Sequence, residues 1–460
     1  MLPGMSPSPI SVPPPEPGAA STGSGDACPG ALRLHMADDG FLARVRIPGG
    51  VLSVDQARAL AGVAGRLGDG MLHLTSRGNV QLRGLRDGCG AELAGVLGAA
   101  GLLPSAAHER VRNVVASPMS GLDGRGFVDV REWLTGLDAG LCASSVTPEL
   151  SGRFLFGLDD GRGDVAALRP DVLVQGLPSG EAEVFLGEAG VRVPYGRAAE
   201  VAVAAAEVFV AAAREASGRV WRVAELDLSA EELTRLLSAH PWLTPRGSAP
   251  APAPQTPAGL DFAEPALTPR GSAPDPAAQS PQGLNSAATA LGNLPPWAAG
   301  WARRRPVPRS PQGGVGPGAR PVVTVPLGAI EPRQWDALTG LAGQLPPREL
   351  RLTPWRSVVV PGATPEQIER LAETGLVSDP TSPWTRVAAC IGRPGCAKSH
   401  ADVRHDAAAH IDEAHPQLPT YWSGCERRCG HPVGPYVDVV ARPDGAYTTT
   451  VPSVPHHTES

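Results

Sequence analysis

The sequence contains an internal repeat that recurs without a gap at an offset of 278 residues. Residues 53–85 align with residues 331–363. The identical pairs include Gln56 and Gln334, Leu60 and Leu338, Leu67 and Leu345, Leu74 and Leu352, Thr75 and Thr353, and Gly84 and Gly362. A repeated unit of this size is one supersecondary motif that buries its apolar face against a neighbouring copy. The repeat therefore predicts a duplicated, pseudo-symmetric fold.

The hydrophobic pattern gives each copy the order strand, helix, strand, strand, helix. In the first copy, FLARVRI from Phe41 alternates as a strand does. Ser53 and Gln56 form a capping box for a helix that runs to Leu67, and Gly68 ends it. This order is that of a ferredoxin-like half-domain. We therefore expect an α+β fold in which two such half-domains pair pseudo-symmetrically and each precedes a larger α/β segment.

Four of the seven cysteines lie in one stretch, as C-x5-C followed after 28 residues by C-x3-C. They are Cys390, Cys396, Cys425 and Cys429. Thiolates are soft ligands that suit zinc or iron–sulfur clusters. Structural zinc usually takes two tight C-x2-4-C pairs, whereas a five-residue gap can wrap a larger [4Fe-4S] centre. The spacing favours the cluster, with zinc and four metal-free buried thiols as the alternatives.

Composition restricts the class of protein further. The net charge is −6 and no Lys/Arg-rich block is present, which argues against nucleic acid as a partner. The N-terminal residues lack the features of a signal peptide, and no run of about 18 apolar residues occurs. An odd number of cysteines with four clustered fits a reducing compartment. We expect a cytoplasmic protein that acts without a membrane.

Gly 55 and Pro 50 among 460 residues exceed average usage, so part of the chain should be unstructured, and we assign this to two regions rich in Pro and small residues. In the second, LTPRGSAPAPA at 243–253 recurs as LTPRGSAPDPA at 267–277. The predicted divisions are a disordered tail at 1–27, a half-domain at 28–105, a cluster-less α/β domain at 106–243, a low-complexity linker at 244–318, a second half-domain at 319–380 and a cluster-binding domain at 381–460.

Differences between the two copies locate the chemistry, because a duplicated protein with one site usually keeps it in one copy. Arg77 and Arg83 of the first copy lie opposite Trp355 and Pro361 of the second. The first half thus supplies cations and the second supplies the cysteines. We expect substitution of the first-half arginines to leave the cysteine site unchanged.

The longer segments after each half-domain also differ. RNVVASP aligns loosely with RVAACIG, which sets Ala116 opposite Cys390. The first segment has no clustered cysteine at matching places. Only the second is expected to bind a metal centre.

Four motifs resemble the nitrite and sulfite reductase superfamily, and they occur along the chain in the superfamily's order: LTSRGNVQLRG, RNVVASP, the cysteine spacing and WSGCERRCGHP. Within it, the chain is similar to the precorrin-3B synthases, oxygen-dependent enzymes of aerobic cobalamin biosynthesis. The resemblance runs from Cys28 to about Val451, apart from the central insert. It implies that the four cysteines hold a [4Fe-4S] cluster, that a non-haem iron activates dioxygen, and that precorrin-3A is the substrate.

The resemblance also implies NADH as the nominal reductant. No G-x-G-x-x-G fingerprint for a dinucleotide is present, so we expect electrons to arrive through a separate reductase. The superfamily's anion-binding basic residues fall on Arg77, Arg112 and Arg153, whereas Arg83 rests on its position in the repeat alone. These four arginines are the expected ligands of the substrate's carboxylate arms.

Two other functions remain open. The first is a sirohaem-dependent sulfite or nitrite reductase, in which Cys429 would bridge cluster and sirohaem. Against it, SGRFLF places Leu155 where sulfite-reducing relatives have a second lysine, and an apolar residue there removes a charge that a small oxyanion needs. The second is an iron–sulfur electron carrier or a tetrapyrrole-binding protein without turnover.

Overall fold

The computed structural model describes residues 30–240 and 321–452. The predicted tail at 1–27 and linker at 244–318 lie outside these ranges. The described residues form an α+β fold of two half-domains, each followed by an α/β unit. Within these ranges, no helix has the length and apolar character needed to cross a bilayer.

The first half-domain has the predicted order of elements with two further short strands, one before the predicted first strand and one directly before the helix. Its elements are β1 (His35–Ala37), β2 (Gly40–Val45), β3 (Val51–Ser53), α1 (Val54–Leu67), β4 (Leu72–Leu74), β5 (Val80–Leu85) and α2 (Gly90–Ala99). The predicted capping box is confirmed, since Ser53 accepts from the N–H of Gln56 and the Gln56 side chain accepts from the N–H of Ser53. At the other end, the N–H of Gly68 bonds to the carbonyl of Ala64.

The first α/β unit contains three parallel strands with an antiparallel pair at one edge. Its elements are β6 (Val114–Ala116), α3 (Arg131–Ala143), β7 (Phe156–Asp159), β8 (Val172–Gly176), β9 (Ala182–Leu186), β10 (Ala189–Val193), α4 (Ala198–Glu215) and α5 (Ala230–Ala239). The apolar faces of α3 and α4 cover the sheet, with Trp133, Phe154 and Phe209 fully buried between them. This unit therefore has its own hydrophobic core.

The second half repeats this plan after the undescribed segment. The second half-domain contains β11 (Val322–Thr324), β12 (Ala329–Ile330), α6 (Pro332–Gly343), β13 (Glu349–Leu352), β14 (Ser357–Val359) and α7 (Pro365–Ala372). The second α/β unit contains β15 (Val387–Ala389), α8 (Val403–Ala409), β16 (Thr420–Ser423), β17 (Val437–Ala441) and β18 (Tyr447–Thr450). In this unit β15, β16 and β17 are parallel and β18 is antiparallel to β17.

The two half-domains exchange strands. Strand β3 of the first half pairs with β13 of the second, and β12 of the second half pairs with β4 of the first. The registers are reciprocal: Val51 lies opposite Arg351, and Ala329 lies opposite His73. Adding the repeat offset of 278 to Val51 and His73 gives Ala329 and Arg351, so the two strand pairs are counterparts of each other. Neither half-domain sheet is complete without a strand from the other copy.

Turns and core contacts obey the same pseudo-symmetry. The hydroxyl of Thr75 accepts from the N–H of Asn79 at 3.1 Å, and that of Thr353 accepts from the N–H of Ser357 at 3.1 Å. Near the pseudo-twofold axis, the buried indole of Trp335 donates to the carbonyl of Ala57, its own counterpart 278 residues earlier. Helices α1 and α6 meet at this contact, and both half-domains share one hydrophobic core.

A buried acidic loop follows β7 in the first α/β unit. The carboxylate of Asp159 accepts four backbone N–H groups, from Gly161, Gly163, Val165 and Ala166, at 2.9–3.1 Å. Asp164 is 3% exposed and accepts the Ser117 hydroxyl at 2.6 Å, while its second oxygen has no hydrogen-bond partner. Burial first, and then the charge of Asp159, raise the pKa of Asp164 to about 7.

This raised pKa predicts how stability changes with pH. The folded state holds the Asp164 proton more tightly than the unfolded state, so its contribution is full below about pH 4 and is lost as pH rises through about 7. Asp164→Asn keeps a neutral group and the oxygen that accepts from Ser117. We expect its melting temperature to exceed that of the wild type at pH 8 and to converge on it at pH 5.

Differential scanning calorimetry at the two pH values measures this difference. Asp444→Asn, at an exposed turn, is the matched control and should track the wild type at both. An Asp164→Asn variant that gains nothing at pH 8 relative to pH 5 would contradict the assignment.

Candidate metal centre

Adjacent parallel strands bring the two cysteine pairs together. Ala389 at the end of β15 lies opposite Trp422 of β16, and the next residue, Cys390, donates its N–H to the Trp422 carbonyl at 3.0 Å. Cys425 follows β16 by two residues. Because parallel strands end at the same sheet edge, both cysteine loops leave from one place. The N–H of Gly424 then donates to Cys390 Sγ at 3.2 Å.

Backbone contacts hold the two loops against each other. The N–H of His400 bonds to the carbonyl of Gly424 at 2.8 Å. A Cβ at Gly424 would lie 1.9 Å from Ser399 Oγ, so only glycine allows this approach. The buried Tyr421 donates its hydroxyl to the carbonyl of Cys429. Both the first and the last cysteine of the set are therefore tied to β16.

The four thiols are reduced and close enough to affect one another electrostatically. Burial first, and then the charges of Cys396 and Cys425, raise the pKa of Cys390, and Cys429 is affected in the same way. Across residues 30–240 and 321–452, no three His, Cys, Asp or Glu side chains are arranged to hold a single metal ion. Four thiols from two loops are a donor set that suits an iron–sulfur cluster or a zinc ion.

The first α/β unit has the same backbone arrangement, with no cysteine at the matching positions. Ser117 follows β6 and donates its N–H to the carbonyl of Leu158, as Cys390 does to Trp422. The N–H of Asp160 donates to Ser117 Oγ at 3.2 Å, as that of Gly424 does to Cys390 Sγ. The counterpart of Cys390 is therefore Ser117, and the looser alignment with Ala116 is wrong by one residue.

Arg83 contacts the cysteine loop directly. It is 3% exposed, forms two 2.8 Å hydrogen bonds with Asp39, and donates to the carbonyl of Gly395 at 2.6 Å. Gly395 precedes Cys396. The expectation that first-half arginines are independent of the cysteine site is thus wrong for Arg83, because β5 lies against the loop.

A second chain of polar groups joins β4 to the cysteine loop. Arg404 of α8 donates to the carbonyl of Cys390 at 3.3 Å and to His73 Nδ1 at 3.1 Å. His73 Nε2 lies 3.3 Å from Asp69 Oδ2. Burial first, and also the Arg404 charge, lower the pKa of His73, so its ring is neutral. Since Arg404 can only donate, the imidazole proton lies on Nε2, facing Asp69.

Arg356 is a further cation at the site that sequence reasoning missed. It occupies the turn position of Gly78 in the first copy and adopts the same left-handed backbone, with φ of 56° against 67°. Its guanidinium lies 5.9 Å from the Tyr421 ring centre. The repeat offset sets Arg356 opposite Gly78. A charged residue in place of a turn glycine was the sequence signal that could have identified Arg356 as a site residue. Cations therefore come from both halves.

One of the predicted arginines, Arg77, contacts the backbone beside another, Arg153. Arg77, in the turn after β4, donates to the carbonyl of Gly152 at 3.3 Å, and Gly152 immediately precedes Arg153. Arg153 is exposed, with its guanidinium 4.2 Å from the Trp221 ring centre. Ser76, beside Arg77, would lie 3.8 Å from a Cβ at Gly430. The turn carrying Arg77 therefore reaches the loop of Cys429.

The other positions singled out from the sequence have different surroundings. Arg112 is 4% exposed and uses its guanidinium on Asp138, at 2.7 and 2.8 Å, and on the carbonyl of Leu102. It lies in the protein interior, so contact with a ligand would require this ion pair to open. Leu155 is buried in a small apolar cluster with Val115 and Leu173.

The exchanged half-domain sheets and the parallel-strand units define the class of fold. Residues 35–93 and 322–374 each match the family described as nitrite/sulfite reductase ferredoxin-like half domain. The sequence-based fold, α+β with two ferredoxin-like half-domains of the nitrite/sulfite reductase type, is thereby confirmed.

Individual relatives carry the comparison further. The chain is 31% identical over 152 residues to a precorrin-3B synthase of Sinorhizobium sp., which is 33% of this chain and 32% of that protein. It is 36% identical over 128 residues to a ferredoxin–nitrite reductase of Synechococcus elongatus, which is 26% of this chain and 25% of that one. The matches thus span a quarter to a third of these relatives.

A solved structure of similar fold is the NirA protein of Mycobacterium tuberculosis. It superposes with a TM-score of 0.60 over 89% of this chain and 73% of that chain, at 16% sequence identity. The similarity covers both halves of the duplication and concerns the fold.

The contact between Arg83 and the cysteine loop generates a prediction. Arg83→Ala leaves Asp39 unpaired and the Gly395 carbonyl without its donor, and loss of a partly buried pair costs on the order of 1–3 kcal/mol. We expect a melting temperature several degrees lower and reduced iron retention after anaerobic purification. Arg86→Ala, which removes an exposed arginine that donates to Arg66, is the control. Equal iron content in both variants would contradict a bracing role.

Proposed function

We propose that this protein is an oxidoreductase that converts precorrin-3A to precorrin-3B in cobalamin biosynthesis. One atom of dioxygen enters the product at the meso carbon between rings A and D, and a ring A acetate closes a γ-lactone. The second oxygen atom leaves as water, which takes two electrons and two protons. NADH is the nominal donor, acting through a separate reductase.

The observation that carries this proposal is the 31% identity to a precorrin-3B synthase in a chain that also has four clustered thiols. Leu155 supports it, because this apolar side chain is buried where sulfite-reducing relatives have a lysine. A [4Fe-4S] cluster held by Cys390, Cys396, Cys425 and Cys429 would supply single-electron transfer. A non-haem iron for oxygen activation follows from the resemblance alone.

The protein's own residues bind and orient the substrate in this proposal. Precorrin-3A carries ionised acetate and propionate arms, while the protein has a net charge of −6, so recognition must be local. Arg77 donates to the carbonyl of Gly152, which immediately precedes Arg153, and the turn that carries Arg77 reaches the Cys429 loop. Guanidinium groups donate two parallel hydrogen bonds to a carboxylate. Arg83 and Arg112, committed to Asp39 and Asp138, act on the scaffold around them.

A nitrite or sulfite reductase is the second candidate, favoured by the 36% identity to a ferredoxin–nitrite reductase. Its sirohaem would give absorption bands beyond the broad absorbance of a cluster, and the protein would reduce nitrite with a reduced donor. An electron carrier would show the cluster alone, with no turnover of either substrate. The same purified sample tests all three.

The proposed reaction predicts that conversion of the substrate depends on oxygen. Anaerobically purified protein, with a competent reductase and NADH, should convert precorrin-3A only after oxygen is admitted, and one atom of labelled dioxygen should appear in the product by mass spectrometry. Cys425→Ser should abolish conversion and lower the iron content, because one iron loses its ligand. Retention of four irons and a full reduced-cluster EPR signal would refute the ligand assignment, and product without oxygen would refute the monooxygenase.

The proposed arginine contacts predict that substitution of Arg77 or Arg153 lowers the affinity for the substrate. Loss of one charge-assisted contact costs about 1.5–3 kcal/mol, or roughly tenfold to over a hundredfold in affinity. We expect Arg77→Ala and Arg153→Ala to weaken precorrin-3A binding by this amount in fluorescence-quenching titrations, with iron content unchanged. Arg→Lys variants should recover only part of it. Arg219→Ala, on an exposed segment, is the control. Wild-type affinity in both alanine variants would rule out a carboxylate clamp.

A further inference from the structure

Three arginines lie beside the two cysteine loops. Arg83 donates to Gly395, Arg404 donates to Cys390, and Arg356 lies over the ring of Tyr421. Burial first, and then the charges of Arg356 and Arg83, lower the pKa of Arg404 to about 10. Arg404 is therefore still a cation at neutral pH, and the three guanidinium groups are close enough to repel one another.

The acidic side chains nearby compensate only part of this charge. Asp39 pairs with Arg83. Asp69 faces the neutral His73, so that the imidazole separates it from Arg404. Among the described residues, no carboxylate forms an ion pair with Arg404, whose side chain donates to a backbone carbonyl and a neutral imidazole. A desolvated cation without a counter-ion is costly unless an anion lies close by.

The groups that can provide this negative charge are the thiolates of the adjacent loop. A four-thiolate iron–sulfur cluster is anionic and gains a further negative charge when it is reduced. A nearby fixed cation stabilises the reduced form more than the oxidised form, which raises the reduction potential. We propose that Arg404 is the internal counter-ion of the cysteine-held centre and that its charge makes the centre easier to reduce. This inference rests on the cluster of the proposed function.

Hydrogen bonding and charge can be separated at this position. Arg404→Gln removes the charge and keeps an N–H donor for the Cys390 carbonyl. Arg404→Lys keeps the charge and loses the planar guanidinium that donates both to His73 and to the Cys390 carbonyl. Arg393→Gln is the matched control, because Arg393 is exposed and also braces this loop, with its Nε 2.8 Å from the carbonyl of Ser399. Each full-length protein is purified anaerobically and assayed for iron and sulfide.

The readout is the midpoint potential, from a mediated titration that follows the reduced-cluster EPR signal without substrate. We expect Arg404→Gln to make reduction about tenfold or more less favourable, which for one electron is a shift of about 59 mV to more negative potential. Arg404→Lys should keep most of the wild-type potential, and Arg393→Gln should match the wild type.

Two results would overturn the counter-ion role: an Arg404→Gln protein with full iron and the wild-type potential, or an Arg404→Lys protein shifted as far as Arg404→Gln. If the Arg404→Gln protein loses its iron, the Arg404→Lys protein gives the answer. Full iron content in Arg404→Lys would support a role for the positive charge, and an equal loss of iron would refute it. A wild-type protein with a cluster but no conversion of precorrin-3A refutes the proposed reaction alone. A wild-type protein without iron refutes the centre itself.

Discussion

Reciprocal strand exchange between the half-domains is the interaction on which the rest of the structure depends. Because β3 completes the second sheet and β12 completes the first, neither copy can bury its backbone edge alone. The shared core fixes β4 and β5 in place. These strands carry His73 and Arg83, which contact the cysteine loops through Arg404 and Gly395. The position of the candidate metal centre is thus set by the pairing of the halves, as much as by the unit that holds the cysteines.

Much of this fold could be predicted from the sequence, because its signals are local. The Ser53–Gln56 capping box, the stop at Gly68 and the repeat offset each depend on residues close in sequence or on a simple comparison. Strand exchange could not be predicted, since the hydrophobic alternation of β3 and β12 is the same whichever copy they join. The choice of partner strand is a tertiary packing decision.

For the site as well, local sequence patterns can be predicted and contacts between residues distant in sequence cannot. The cysteine spacing is a local pattern and identifies four thiols on two loops that leave the same edge of one sheet. The arginines are different, because a charge in a sequence does not reveal its counter-ion. Asp39 and Asp138 lie 44 and 26 residues from Arg83 and Arg112, and no periodicity connects them. Arg404 has no counterpart signal in the repeat, and its importance comes only from the strand that it reaches.

Ser117 and Cys390 accept matching backbone hydrogen bonds, but the spaces beside them are filled in different ways in the two α/β units. In the first α/β unit, the space beside Ser117 is closed by the protein's own acidic loop and by Arg162, which binds Asp160 and Asp123. In the second, the equivalent space is bordered by thiols whose proposed partner is inorganic. If that partner is an iron–sulfur cluster, the amino-terminal half is complete once the chain has folded, whereas the carboxyl-terminal half is complete only after iron and sulfide have been delivered to it.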